Sequence, residues 1–169
     1  MTSSTSTETT PNATLQNLLI VEVQGQLFAL DASFLREVIP ARGATRIPGA
    51  PALVKGLINL RGSLIVVADV AMRLMGPDAG LAPDDGSIVL VEVEGKSLGL
   101  AVQDVRDVVA LEVEPIDGST KVALGQGSPV SATHTAGSSA GSLCLGVGRL
   151  ENEIVIVLDV AALARQVVA

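Results

Sequence analysis

The sequence predicts an all-β fold made of two similar halves. Hydrophobic residues make up 48% of the 169-residue chain, but only two are Phe and none is Trp or Tyr, so an aliphatic core is expected. Residues 54–70 contain two apolar strands joined at Arg61-Gly62, and glycine accepts the positive φ of a tight hairpin turn. The run 64–68 is continuously apolar, which predicts a strand covered on both faces.

The second observation is an internal repeat. Three pairs of segments match along the chain: LIVVADVA at 64–71 with IVIVLDVA at 154–161, VEVQG at 21–25 with VEVEG at 91–95, and LREV at 35–38 with VRDV at 105–108. Repetition of this kind indicates one supersecondary plan built twice. Each half is therefore predicted to contain a hairpin, a short helix, a strand and a second hairpin.

Short helices are predicted near residues 31–36, 70–75 and 159–166. Asp69 and Asp159 each follow an apolar strand and precede a helical pattern. A carboxylate at that position accepts hydrogen bonds from the free N–H groups of the first turn, which stabilises a helix by about 1 kcal/mol. We expect both aspartates to be N-caps.

Composition predicts how the chain is divided. Residues 1–16 are rich in Ser and Thr and are expected to form a disordered tail. The domain is expected to cover 17–169, with a first lobe at about 17–76, a linker at 77–86 and a second lobe at about 87–169.

Within the second lobe, residues 115–141 are rich in Gly, Ser and Thr. The segment is longer than the roughly 12 to 15 residues beyond which structureless loops become uncommon in compact domains. It is predicted to be a flexible insertion.

Charge is distributed unevenly. Residues 36–73 contain six basic side chains against two acidic ones, whereas the chain as a whole has a net charge of −7. A basic region on an acidic protein would steer an acidic partner toward one lobe.

Several functional classes are disfavoured. The near absence of aromatic side chains and the negative net charge argue against nucleic acid binding. The N-terminus lacks the basic start and apolar stretch of a signal peptide, and no apolar run approaches the length of a membrane span, so no membrane insertion is expected. A cytoplasmic location is predicted.

Catalysis is not expected either. His134 and Cys144 are the only residues of their types, and Cys144 begins an apolar strand, which favours an inert core thiol. The sequence has no phosphate-binding glycine loop and no paired-histidine motif, so neither a cofactor nor a metal is predicted.

Comparison of the two halves points to Arg61. Its counterpart at the equivalent turn is Glu151, so the turn does not require arginine. The side chain at this tip is free to serve an interaction.

The run Lys55-Gly-Leu-Ile-Asn-Leu-Arg-Gly62, followed by an apolar strand ending in Asp69, resembles the signature of CheW-like domains, the coupling proteins of bacterial chemosensory arrays. The resemblance covers roughly residues 17 to 165. It implies two five-stranded SH3-like β-barrel lobes, related by internal duplication and packed around a shared apolar interface, with short helices.

The same resemblance implies a function. The chain would be a non-catalytic adaptor in chemotaxis that couples chemoreceptors to a CheA-like histidine kinase. Its partners would be the regulatory domain of the kinase and the cytoplasmic tip of a methyl-accepting chemoreceptor, and it would be found at membrane-bound receptor arrays.

Carried onto this chain, the motif implies partner-binding residues at Gly56, Asn59, Arg61 and Gly62. Leu35 is implied as a fifth, because its position in the family lies on the surface that contacts receptor or kinase. Leu35 is matched internally by a valine, however, which is equally compatible with a core role.

Glu37 is implied as a contact on the same grounds, and its internal match to Asp107 is equally compatible with a shared structural hydrogen bond. Two alternative functions stay open. The chain could be a small-molecule-binding double β-barrel, or a divergent member of the family that has lost kinase binding and assembles with itself or with receptors only.

Overall fold

Strands dominate the computed structural model of the chain, which describes residues 14–75, 86–115, 122–124, 128–130 and 143–168. The first half contains β1 (Thr14–Val23), β2 (Gln26–Asp31), a 3₁₀ turn (Ala32–Phe34), β3 (Leu35–Pro40), β4 (Val54–Leu60), β5 (Ser63–Asp69) and α1 (Val70–Met75). The second half contains β6 (Ser87–Val93), β7 (Lys96–Val102), β8 (Asp104–Pro115), β9 (Val122–Leu124), β10 (Ser128–Val130), β11 (Cys144–Leu150), β12 (Glu153–Leu158) and α2 (Val160–Val168). The predicted all-β class and the helices predicted near 70–75 and 159–166 are confirmed, whereas the helix predicted near 31–36 is only the 3₁₀ turn, with residues 35 and 36 already in β3.

The strands form two five-stranded sheets. One closes into a barrel in the order β1-β2-β12-β11-β8, and the other has the order β3-β6-β7-β5-β4. These orders are equivalent under the internal repeat, because β1, β2, β8, β11 and β12 correspond to β6, β7, β3, β4 and β5. The duplication seen in the sequence is therefore a duplication of sheets.

Each sheet nevertheless contains strands from both halves of the chain. Two parallel pairings join the halves, with Phe28 of β2 opposite Ile156 of β12 and Val66 of β5 opposite Leu98 of β7. In a lobe made from residues 17–76 alone β2 and β5 would have to pair with each other, whereas here each of them pairs with a strand of the other half, which satisfies its backbone groups. The predicted boundary at 77–86 thus does not separate the two sheets.

The two sheets differ in how they close. In the barrel, β8 is a 12-residue strand that pairs with β1 along its length and reaches β11, where Val147 lies opposite Glu114. In the other sheet the equivalent strand, β3, ends at Pro40. Beyond the end of β3, Thr45 is the only described residue of the following segment that pairs with β4, and it exchanges two 2.8 Å backbone hydrogen bonds with Leu57. An opening therefore remains between β3 and the hairpin formed by β4 and β5.

The core consists of three clusters of aliphatic side chains. Two draw on one sheet each: Leu18, Ile20, Leu27, Ala29, Val113, Val155 and Val157 in the closed barrel, and Ile39, Ile58, Ile65, Val67, Ile88, Leu90 and Ala101 in the other sheet. The third lies between the sheets and includes Leu19, Val21, Phe28, Val89, Val91, Leu98 and Leu163. Residues 18–21 of β1 alternate between the interior cluster of the barrel and the shared one, so this part of the strand is continuously apolar.

The prediction that the strand 64–68 is covered on both faces is wrong at its first residue. Leu64 is 70% exposed, and burial on β5 begins only at Ile65. A continuous apolar run identified the strand but not the point where it enters the core.

Both predicted helix caps are present. The Asp69 carboxylate accepts a hydrogen bond from the Met72 N–H at 3.2 Å, and Asp159 accepts from the Ala162 N–H at 3.0 Å. These contacts satisfy free donors at the start of α1 and α2. Among the helices that the structure describes, none has the length and apolar character needed to cross a membrane.

The predicted tail and insertion fall mainly outside the described residues. Residues 14–16 are an exception, because β1 begins at Thr14, which pairs with Val113 of the long strand β8. Within 115–141, β9 and β10 pair with each other as a short antiparallel hairpin. The tail as predicted is thus three residues too long, and the insertion contains some strand.

Candidate functional site

The turn between β4 and β5 holds Arg61 in an unusual conformation. Arg61 has φ 51° and Gly62 has φ 85°, so both residues are left-handed, as a two-residue hairpin turn with the twist of its strands requires. The side-chain oxygen of Asn59 accepts a hydrogen bond from the Gly62 N–H at 3.0 Å. Asn59 and Gly62 shape the turn, and Arg61 projects from it.

Arg61 forms an ion pair with Glu37 of β3. Its Nη1 donates to Glu37 Oε2 at 3.0 Å, and its Nη2 donates to Oε1 at 2.8 Å. The hydrogen bonds, together with the nearby negative charge, raise the pKa of the Arg61 guanidinium above its ordinary value. The pair spans the opening between β3 and the β4–β5 hairpin, and two parallel bonds fix the orientation of both side chains.

A second arginine lies beside this pair. Arg36 contacts Glu92 of β6 at 2.7 Å. Both ion pairs border a groove of about 530 Å³, here called the Arg61 groove, which is lined by Arg36, Glu37, Leu60, Arg61, Ser63, Leu64, Ile65, Leu90, Val91, Glu92 and Ser97. The groove thus combines apolar side chains with two arginines, each matched to a glutamate.

This arrangement changes the meaning of the basic region seen in the sequence. Arg36 and Arg61 are both neutralised by glutamates, and Glu92 lies outside the segment 36–73 in which the charges were counted. A third cation, Arg73, donates through Nε to Gln166 at 2.7 Å, away from the groove. Charge at the groove is therefore close to balanced and does not form a basic patch.

The other predicted site residues have different surroundings. Leu35 is half-buried and packs against the cluster between the sheets, so its own position favours the core role. Gly56 is buried at φ 148°, where an added Cβ would overlap the carbonyl oxygen of Thr45. The close approach of the Thr45 backbone accounts for the glycine at position 56. Neither Leu35 nor Gly56 lines the groove.

Sequence reasoning missed Leu64 and Glu92 of the groove, and it counted Arg36 only as one of the six basic side chains of residues 36–73. Leu64 was assigned to a buried strand, although its place next to the turn was a signal of exposure. Arg36 and Glu92 lie in two different repeat segments, 35–38 and 91–95, and their contact depends on the pairing of β3 with β6.

The one cysteine offers no reactive group. Burial raises the pKa of the Cys144 thiol to about 11, and its S–H donates to the carbonyl oxygen of Gly146 at 3.6 Å. A thiol with such a pKa stays protonated near neutral pH. His134, the other residue considered for catalysis, lies outside the described residues.

Comparison with known proteins agrees with the motif. Residues 17–168 match the family model described as CheW-like domain. The chemotaxis protein CheW of Klebsiella aerogenes is 26% identical over 149 residues, which cover 88% of this chain and 81% of that protein. The chemotaxis protein CheW of Treponema pallidum is 27% identical over 114 residues, 66% of this chain and 67% of that protein.

A solved structure has the same fold. The scaffolding protein TtCheW from Thermoanaerobacter tengcongensis superposes with a TM-score of 0.67 at 24% identity, covering 87% of this chain and 90% of that one.

Proposed function

This chain belongs to the CheW-like domain family, and from that premise we propose that it is a non-catalytic adaptor that couples chemoreceptors to a CheA-like histidine kinase. Its partners are the regulatory domain of the kinase and the cytoplasmic tip of a methyl-accepting chemoreceptor. The receptor partner holds it at the membrane-bound array.

The observation that carries this proposal is the Arg61–Glu37 ion pair. Arg61 is placed at a left-handed turn position that does not need arginine, and its side chain is 73% exposed yet held at two points by Glu37. A charge that is both exposed and oriented suits recognition, because less rotamer freedom is lost when a partner binds.

The rest of the Arg61 groove fits a protein partner. Leu64 is 70% exposed beside the ion pair, so the groove offers apolar area next to fixed charges. Interfaces commonly combine an apolar centre with arginine and a polar rim. The interior of the closed barrel, in contrast, is filled by its own aliphatic cluster, which favours docking on the outside over a ligand held within.

The proposal is tested by binding with purified proteins. The full chain is mixed with the kinase regulatory domain and with a receptor-tip fragment encoded in the same genome, and each affinity is measured by calorimetry. We expect both to bind, and a ternary complex to elute together in size-exclusion chromatography. Absence of binding to both proteins, with a saturable thermal shift on a metabolite instead, would favour the small-molecule alternative.

The contribution of the groove is measured with Arg61→Glu against Arg42→Glu. Arg42 is an exposed arginine of the same half that does not line the groove. The proposal requires the first variant to lose affinity for one partner and the second to keep it.

A further inference from the structure

Strand β3 contains a β-bulge at its start. Leu35 lies opposite Val91 of β6, and two residues later Glu37 lies opposite Leu90, the immediate neighbour of Val91. Arg36 is therefore the extra residue of β3 and has no partner of its own in this register. One added residue moves every side chain beyond it to the opposite face of a strand.

The bulge determines the side on which Glu37 lies. Leu35 packs against the cluster between the sheets, and in a regular strand the residue two positions later would face that cluster too. Glu37 instead lies opposite Leu90, which belongs to the interior cluster of its own sheet, as does Ile39. Glu37 and Leu90 both line the Arg61 groove. The bulge thus brings the Glu37 carboxylate to the side from which Arg61 reaches it.

One ion pair holds the extra residue. The Nη2 atom of Arg36 contacts Oε2 of Glu92 at 2.7 Å, and the two side chains are partly exposed. Glu92 follows Val91, the residue of β6 at which the register shifts. The contact therefore ties the bulge to β6 directly beside Glu37.

The closed barrel contains the same bulge and ion pair. Its register between β1 and β8 shifts between Leu19 and Val21, and Arg106 of β8 contacts Glu22 of β1 at 2.9 Å. The turn of this barrel carries Glu151 in place of arginine. Folding therefore accounts for a bulge and its ion pair in both sheets, but only in the β3 sheet does the bulge bring a carboxylate to an arginine at the turn.

We propose that Arg36 and Glu92 are positioning residues of the Arg61 groove, because their ion pair holds the bulge in the register that presents Glu37 to Arg61. Without this contact the bulge is less fixed, and Arg61 is a flexible cation that a partner has to immobilise on binding. The inference rests on the proposed function for the partner that Arg61 meets. The orientation of Arg61 itself is a property of the chain alone.

The orientation of Arg61 is measured first in the full chain without a partner. A guanidinium held by two hydrogen bonds to one carboxylate rotates slowly, so its Nη groups give separate signals in ¹⁵N NMR spectra, which Arg61→Lys assigns. We expect separate signals in the wild type and merged signals in Glu92→Gln and in Arg36→Gln. The double variant should be no worse than either single one, because each substitution already breaks the pair.

Glu22→Gln is the matched control, since it removes the equivalent ion pair of the closed barrel. It should change the stability of the chain by as little as Glu92→Gln does and leave the Arg61 signals unchanged. Three results overturn the inference: merged Arg61 signals in the wild type, separate signals in Glu92→Gln, or merged signals in Glu22→Gln.

Binding then connects the ion pair to the partner. Glu92→Gln should weaken the partner that Arg61→Glu weakens by about threefold to fivefold, the size of one exposed ion pair, and Glu22→Gln should not. In the Arg61→Glu background, Glu92→Gln should cause no further loss, whereas a further loss would show that Glu92 contacts the partner itself and is not a positioning residue.

The outcomes separate this inference from the proposed function. If the partners bind the wild type and Glu92→Gln equally well, the inference fails while the proposed function stands. If neither partner binds the wild type, the proposed function fails, and the NMR spectra of the chain alone still decide whether Arg36 and Glu92 position Arg61.

Discussion

Arg61 and Glu37 meet through two parallel hydrogen bonds across the opening between β3 and the β4–β5 hairpin. In the closed barrel β8 pairs with β11 through its backbone, whereas in the other sheet only Thr45 makes the corresponding backbone bridge to β4 among the described residues, and the two side chains span the opening that remains. Ion pairs in water add little to stability because solvent screens them and both side chains lose freedom. The pair is thus suited to orienting a charge rather than to holding the fold.

Arg61→Glu is expected to weaken binding of the partner at the Arg61 groove by about tenfold or more, because the substitution places a second carboxylate beside Glu37 and removes the oriented cation. The free energy of unfolding should change only within the range typical of surface substitutions. Calorimetric titration and urea denaturation measure the two effects. A large loss of stability with intact binding would show that the ion pair is structural.

Gly56 and Gly62 are glycines for different structural reasons. At Gly56 an added Cβ overlaps the backbone of Thr45, whereas at Gly62 it meets open space and only the positive φ is unfavourable. We expect Gly62→Ala to lower the free energy of unfolding by about 1 kcal/mol. Gly56→Ala should lower it by about 2 kcal/mol or more, because the Thr45 segment must also move. Equal losses in urea denaturation would contradict the crowding seen at Gly56.

The sequence was sufficient to predict the strands, the hairpins and the duplication, because these depend on local patterns that occur twice. The exchange of strands between the halves was not predictable in the same way. The apolar sequence of a strand such as β2 indicates that both of its faces are buried, but it does not indicate which other strand will pair with its edge. Pairing with β12 instead of β5 is decided by the packing of the whole chain.

The site was predictable in part for the same reason. Arg61 could be singled out because its counterpart is Glu151, so folding does not explain the arginine. Its contact with Glu37 depends on how β3 lies relative to the β4–β5 hairpin, which no local pattern contains. Asn59 and Gly56 belong to the same motif, but the structure gives each of them a role within the chain.

The effects of Glu94→Gly and Arg61→Gly on stability can be compared directly, because the two residues occupy turns of the same geometry. Both residues have φ 51° and both precede a glycine. Replacing Glu94 removes an unfavourable left-handed side chain and should raise the free energy of unfolding by about 1 kcal/mol. Replacing Arg61 gives the same relief but also removes the contact with Glu37, so its gain should be smaller. Urea denaturation of both variants measures the difference, and an equal gain would mean that the ion pair contributes nothing to stability.

The raised pKa of the Cys144 thiol predicts how the free energy of unfolding depends on pH in the alkaline range. Burial raises the thiol pKa in the folded protein to about 11, whereas the unfolded chain has the ordinary value of 9.0. The unfolded state therefore loses its proton first, so the stabilisation is complete below pH 9 and is lost as the pH rises toward 11. Cys144→Ala removes this titration, so urea denaturation between pH 8 and 11 should show a shallower decline for the variant than for the wild type. The lysines titrate in both proteins, which makes the difference between the two curves the quantity to measure. Parallel curves would mean that the thiol ionises equally easily in the folded and unfolded chains, contrary to its burial beside Gly146.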